Sequence, residues 1–159
     1  MHMSREPNLR SVGVVNVKCG MDVTIVEPSN VYGCALNDGV FVGPFVEIQR
    51  GVKIGARTRV QSHSFICELV EIGSDCFIGH GVMFINDSFS GGGPARGRKE
   101  LWGNTLIGNR VSIGSNATIM PVKICDDVVI GAGSVVTKDI DTPGIYAGNP
   151  ARAIEQAAS

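Results

Sequence analysis

The chain has 159 residues with a formal net charge of -1, 43% hydrophobic but only 6% aromatic side chains, and 21 glycines. That is the length of a single domain, read here as spanning 1–159, and it carries no overall basic field to hold a nucleic acid or an anionic membrane surface. No apolar signal core follows Met1 and no 18 apolar residues run together, so a soluble, cytoplasmic protein is expected.

The first region, from Val15 to Leu36, carries loose pairs of small or branched residues two apart: Val15/Val17, Val23/Ile25, Ser29/Val31 and Cys34/Leu36. From Val40 the pairs return every six positions without a slip. They are Val40/Val42, Val46/Ile48, Val52/Ile54, Thr58/Val60, Ser64/Ile66, Val70/Ile72, Cys76/Ile78 and Val82/Phe84. Residues two apart on an extended strand point the same way, so each hexad buries one short strand face and then turns a corner. Such a period predicts an all-β solenoid, a parallel β-helix whose coils bury their faces only by stacking. The narrow bore explains why Val and Ile replace aromatic bulk.

At residues 85–104 the repeat stops for a 20-residue insertion containing the single Trp, with Phe89 and Trp102 as its expected anchors. Long insertions in a compact array are more often functional than ornamental. The pairs then resume as Thr105/Ile107, Val111/Ile113, Ala117/Ile119, Val122/Ile124, Val128/Ile130 and Ser134/Val136, with one shortened corner at Met120-Pro121, and a short C-terminal tail follows. Eighteen hexads are counted in all. The five cysteines, at 19, 34, 67, 76 and 125, form no C-x-x-C pair, and buried reduced thiols are expected rather than disulfides or zinc.

The hexads "IGSDCF", "IGHGVM", "IGNRVS", "IGSNAT" and "IGAGSV", followed by "VTKDIDTPGIYAGNPARAI", resemble the left-handed β-helix of the hexapeptide-repeat acyltransferases over nearly the whole chain. The resemblance alone implies the left hand, because physical rules favour right-handed crossovers. It also implies three hexads per coil, hence about six coils, acetyl-CoA as co-substrate with no metal, and a homotrimer with active sites between subunits.

With three hexads per coil, positions 18 apart stack. One corner column then reads Ser62-His63, Gly79-His80-Gly81, Gly114-Ser115-Asn116 and Gly131-Ala132-Gly133, and its small residues suggest a groove. The resemblance places coenzyme A in such a groove, with Asn116, Ala132 and Gly133 along it and Lys138 and Arg152 at its phosphates. Solvated surface cations are the bland alternative for the last two. The next corner stacks Glu68 beneath Asn86, so His80, Asn86 and Glu68 are expected to converge at the root of the insertion. Asp87 reads either as a substrate contact or as an ordinary surface carboxylate. Arg96, Arg98 and Lys99 suit a diphosphate but also suit a loop that merely stays in solution.

Acetyl transfer needs a nucleophile with a free lone pair, an N–H donor for the oxyanion and a proton acceptor. His80 is the candidate base or amine-orienting group, since imidazole is the side chain that changes charge nearest neutrality. His63 is assigned to the sugar pocket or to structure. The O-acetyltransferase branches of the resembled family carry a histidine in the loop region, whereas this chain reads "MFINDSF" there. That stretch is similar to the nucleotide-linked amino-sugar N-acetyltransferases, which implies that Asn86 sits beside the reacting amine. The expected acceptor is a dTDP-linked 3-amino-3,6-dideoxyhexose, with O-acetyl transfer as the alternative and a non-catalytic scaffold as a remote one. A carbonic anhydrase of similar shape needs three histidine ligands, and only His2, His63 and His80 exist.

Overall fold

The computed structural model describes residues 8–154; His2 and the end of the C-terminal tail lie outside them. The described chain winds through three sheets that form the sides of a prism. The first face has seven strands: Val14–Val15, Asn30–Tyr32, Glu47–Ile48, Phe65–Ile66, Met83–Phe84, Thr118–Ile119 and Val135–Val136. The second has six, from Lys18–Cys19 to Lys123–Ile124, and the third has eight, from Thr24–Ile25 to the antiparallel pair Gly144–Gly148 and Ala151–Ala153. Apart from that closing pair, the strands hydrogen-bond in parallel to the strand one coil away, three strands along the chain, except that Val128–Ile130 pairs with Gly144–Gly148 two strands on. The only helix among the described residues is a single 3-10 turn, Lys99–Leu101, inside the insertion.

The hexads account for this winding directly. All fourteen pairs from Val40/Val42 to Ser134/Val136 are buried, and their hydrophobic members form one continuous core with Val31, Cys34 and Leu36. Their register is the one the 18-residue spacing demands: Val42 pairs with Val60, Val60 with Ile78, Ile78 with Ile113 and Ile113 with Ile130. The insertion does not disturb it, because Phe84 still stacks under Ile119 and Ile72 under Ile107.

Two expectations need correction at the ends. The solenoid has about seven turns rather than six, because a further coil runs through Val136, the bridge from Ile124 to Ile140 and the strand Gly144–Gly148, outside the strict hexads. In the first coil the partner of Val31 is Val14, whereas Val15 is 55% exposed. A terminal coil is covered on one side only, so both faces of its strands tolerate Val and the alternation that fixes register is lost.

Five core slots hold hydroxyls in place of methyls, among them Thr105, whose Oγ1 donates to the Met120 carbonyl at 3.3 Å. Thr58 Oγ1 donates to the Gly73 carbonyl at 2.8 Å and accepts from Cys76 N–H at 3.0 Å. Ser64 Oγ donates to the Gly79 carbonyl at 2.8 Å and accepts from Val82 N–H at 3.3 Å, and Ser29 does the same between Gly43 and Val46. Ser134 Oγ accepts from Gly148 N–H at 3.1 Å. A buried hydroxyl is stable there because each has a partner. Outside, the corner between the second and third faces is laced coil to coil by ion pairs, Arg57 to Asp75 at 2.6 Å and Arg110 to Asp127 at 2.7 Å.

Candidate active site

The corner between the third and first faces carries the sequence-predicted cofactor edge. His63 N–H donates to Pro44 O, Gly81 N–H to Ser62 O, Asn116 N–H to His80 O and Gly133 N–H to Ser115 O, at 2.8–3.2 Å. The edge is therefore one vertical stack, in which His80 lies between Ser62 and Ser115 while His63 lies between Phe45 and Gly81. His80, His63, Asn116, Ala132 and Gly133 are all exposed along it. The His63 ring leans on Phe45, with centroids 4.9 Å apart and planes tilted by 33°.

The glycines of this edge have a reason other than ligand access. A side chain at Gly79 would run into the Ile113–Ser115 backbone, and one at Gly114 into Ala132, so these positions are small because the next coil sits on them. Gly55, Gly73 and Gly108 show the same crowding at another corner. Gly81 has φ +66° and lies under the Asn116 amide, whereas Gly133, at φ +68°, has open space above it. The open part of the edge is thus its outer rim, from His80 to Gly133.

Glu68, Asn86 and the insertion belong to the other end of the first face. Glu68 is half-buried; its N–H donates to Gln49 Oε1 at 3.2 Å and its carboxylate takes the ammonium of Lys99 from the insertion. Asn86 Nδ2 donates to the Glu68 carbonyl at 3.2 Å, which leaves its Oδ1 as an acceptor. The expected convergence of His80 with these two does not occur within one chain. Residues 81–85, including the strand Met83–Phe84, span the face between them, and two corners of a prism cannot meet.

The insertion is ordered by its own polar groups. Asp87 Oδ1 accepts Phe89 N–H at 3.0 Å and Oδ2 accepts Ala95 N–H at 2.7 Å, while Asp87 and Trp102 form an antiparallel bridge that closes the loop. Ala95 is completely buried, but Phe89 is 59% exposed, so Phe89 is not the anchor that its aromatic character suggested. Arg96 and Arg98 line a cavity of about 240 Å³ with Gly91, Gly92, Gly93 and Pro94.

Lys138 and Arg152 do come together. They line a cavity of about 240 Å³ with Thr137, Asp139, Tyr146 and Ala151 at the C-terminal end of the prism. Lys138 follows the first-face strand Val135–Val136, so it lies at the corner opposite Ala132 and Gly133. Burial pushes the Cys67 thiol up to about 12 and that of Cys34 up to about 11, which makes both poor nucleophiles. Among the described residues no group of three or more His, Cys, Asp or Glu is placed to hold a metal ion. No helix among them is long and apolar enough to cross a membrane.

Residues 105–138 match the family described as hexapeptide repeat of succinyl-transferase. The chain belongs to the hexapeptide-repeat family. It is 30% identical over 139 residues to the bifunctional protein GlmU of Acidithiobacillus ferrooxidans, covering 82% of this chain and 30% of that protein. GlmU of Streptococcus uberis is 32% identical over 125 residues, which cover 78% of this chain and 25% of that protein. The chain therefore spans less than a third of these relatives. Among solved structures, galactoside acetyltransferase in complex with coenzyme A is 32% identical at a TM-score of 0.64, over 76% of this chain and 64% of that one. A mutant of perosamine N-acetyltransferase from Caulobacter crescentus, in complex with CoA and GDP-perosamine, has a TM-score of 0.71 over 84% of this chain and 57% of that one. At 23% identity, that likeness is one of fold.

Two features of this hexapeptide-repeat chain escaped the sequence reading. Phe45 stands 18 positions before His63, so the same spacing that stacks the histidine edge reaches it one coil lower. The pin from Lys99 to Glu68 carries no local sequence signal, because it joins residues 31 apart across a loop whose path no period dictates.

Proposed function

We propose that the chain transfers an acetyl group from acetyl-CoA to the amine of a nucleotide-linked amino sugar, as one domain over 1–159, in the cytoplasm. The observation that carries this reading is the exposed rim His80–Gly133 on one edge, set against Asn86 held by Glu68 at the root of an ordered insertion on the other. The CoA complexes of galactoside acetyltransferase and perosamine N-acetyltransferase support the cofactor, and the GDP-perosamine in the latter supports the acceptor class. A dTDP-linked 3-amino-3,6-dideoxyhexose is the acceptor to test first.

The site is assembled between copies of a homotrimer. Because His80 and Asn86 occupy opposite ends of the first face, a cyclic contact that sets one end against the other in the neighbouring copy unites them. Side-chain chemistry supports this: the outward row of the first face includes Phe65, Met83 and Val135, and that of the third includes Phe41, Phe77 and Val129, whereas the second shows Lys18, Lys53, Glu71 and Lys123. Along the rim Asn116, Ala132 and Gly133 take the pantetheine arm, and Lys138 with Arg152 take phosphate oxygens. Glu68, Asp87, His63 and Arg96 shape the acceptor side, Glu68 and Asp87 by fixing Asn86 and the loop.

In the reaction the neutral amine nitrogen attacks the thioester carbonyl carbon, giving a tetrahedral oxyanion held by backbone N–H groups. Asn86 Oδ1 accepts from the amine and orients its lone pair. The C–S bond then breaks, and the nitrogen proton passes to His80 or directly to the departing thiolate, leaving amide and free CoA.

The decisive experiment assays acetyl-CoA with dTDP-, UDP- and GDP-linked amino sugars, on the wild type and two variants. His80→Ala should lose less than the ~100-fold at the lower end of general-base contributions, with partial recovery at high pH. Asn86→Ala should raise KM for the sugar and leave KM for acetyl-CoA unchanged. The 32% identity to galactoside acetyltransferase favours a second reading, O-acetyl transfer. It requires His80→Ala to abolish turnover at every pH.

A further inference from the structure

Below His80 the same edge continues to a feature that acetyl transfer itself does not use. Phe45 is 56% exposed, although an aromatic ring on a solenoid corner gains nothing from water. Its ring contacts His63 on one side, and with Val12, Pro28 and Val46 it forms the apolar part of a cavity of about 250 Å³ that Ser29, Asn30 and Glu47 also line. Phe45 is in the left-handed region, φ +59°, as is His63 at +64°, so the corner backbone itself turns both rings outward. Gly81, directly above His63, adds no side chain that would cover the stack.

We infer that Phe45, backed by His63, is the platform on which the nucleobase of the acceptor stacks. This rests on the proposal that the acceptor is nucleotide-linked, and it names the part of the site that reads the nucleotide. The order along the edge supports it. The thioester end of the cofactor arrives from the Gly133 side, so the sugar amine must meet it at His80 from the opposite direction. The rest of the acceptor then extends toward lower coils. Phe45 lies two coils below His80, roughly 10 Å at one strand spacing per coil, a span that ribose and diphosphate bridge. A flat aromatic base fits the rings because every base presents a π-face, while Val12 and Pro28 offer apolar contact to its edge.

Coenzyme A also carries a base, and the geometry separates the two sources. The paired cations Lys138 and Arg152 lie at the C-terminal end, so the adenine of the cofactor belongs there, several coils from Phe45.

The test is titration of dTDP, UDP, GDP and CoA separately into the wild type, Phe45→Ala and Phe45→Trp, with the oligomeric state recorded for each. At least one nucleoside diphosphate should bind the wild type and bind Phe45→Ala about 5- to 150-fold more weakly, the equivalent of one base stack. Phe45→Trp should restore it, and CoA should bind all three alike. Equal nucleotide affinity in wild type and Phe45→Ala overturns the platform. So does a selective loss of CoA, which would assign the ring to the cofactor, or dissociation of the assembly, which would make Phe45 a subunit contact. If no nucleoside diphosphate binds the wild type while an unlinked amino sugar is acetylated, it is the nucleotide-linked acceptor itself that fails.

Discussion

Ser64 shows how a single atom is fixed in this core. Its hydroxyl joins the Gly79 carbonyl to the Val82 N–H of the next coil, and Ser64→Ala removes that hydroxyl without adding bulk and leaves both groups unpaired. A cost of about 1–3 kcal/mol is expected, read as a lower denaturation midpoint at an unchanged m value. A midpoint equal to wild type would show that the corner re-forms without the hydroxyl. The thiols offer a second check at this scale. Cys34, Cys67 and Cys76 are buried and their titration is pushed upward, whereas Cys19 is exposed on the end coil. A thiol reagent at neutral pH should therefore modify Cys19 in the native protein and reach these three only on unfolding. Residues such as Val60, Ile78 and Ile113 were legible from spacing alone, because a slot buried on every side admits few side chains. Val15 was not, since the open end of the solenoid removes that constraint.

Among the elements, the insertion and the charged corner behave differently. Asp87 ties together two N–H groups six residues apart, those of Phe89 and Ala95, so Asp87→Ala should loosen the loop and raise KM for the acceptor several-fold. Because the fourteen core pairs are untouched, the melting temperature should fall little; a large fall would make the loop part of the fold's stability rather than of its site. The ladder at the opposite corner gives a pH prediction. Arg57 holds the Asp75 carboxyl below its ordinary value of 3.8, backbone and side-chain hydrogen bonds from Asn109 do so for Asp126, and Arg110 does so for Asp127. Carboxylates with depressed folded values contribute stability above the ordinary carboxylate range and lose it as pH falls through those values. The Arg57→Met, Arg110→Met double variant should therefore melt slightly below wild type at pH 7, and the gap should close on acidification or in high salt. A gap that persists at low pH would trace to lost packing by the arginine stems. Strand positions followed from a period of six, but the loop's internal ties join residues that no period relates.

For the whole molecule, stacking carried the most information and assembly the least. The 18-residue spacing brought His63, His80, Asn116, Ala132 and Gly133 onto one edge, as the paired registers require. It also puts Glu68 and Asn86 on the next corner, a full face away from His80, and for that reason the expected convergence does not occur within one copy. In the proposed trimer each copy contributes two half-sites, and the contact that would join them involves outward residues whose pattern a repeat does not specify. In the proposed assembly the thioester lies against the His80–Gly133 rim while the neighbouring copy supplies Asn86. A crystal structure of the protein with acetyl-CoA tests it most directly. A trimer is expected, with the sulfur beside His80 and Asn86 of the adjacent subunit across from it; a cofactor seated on the second face, or a site complete within one chain, overturns this arrangement.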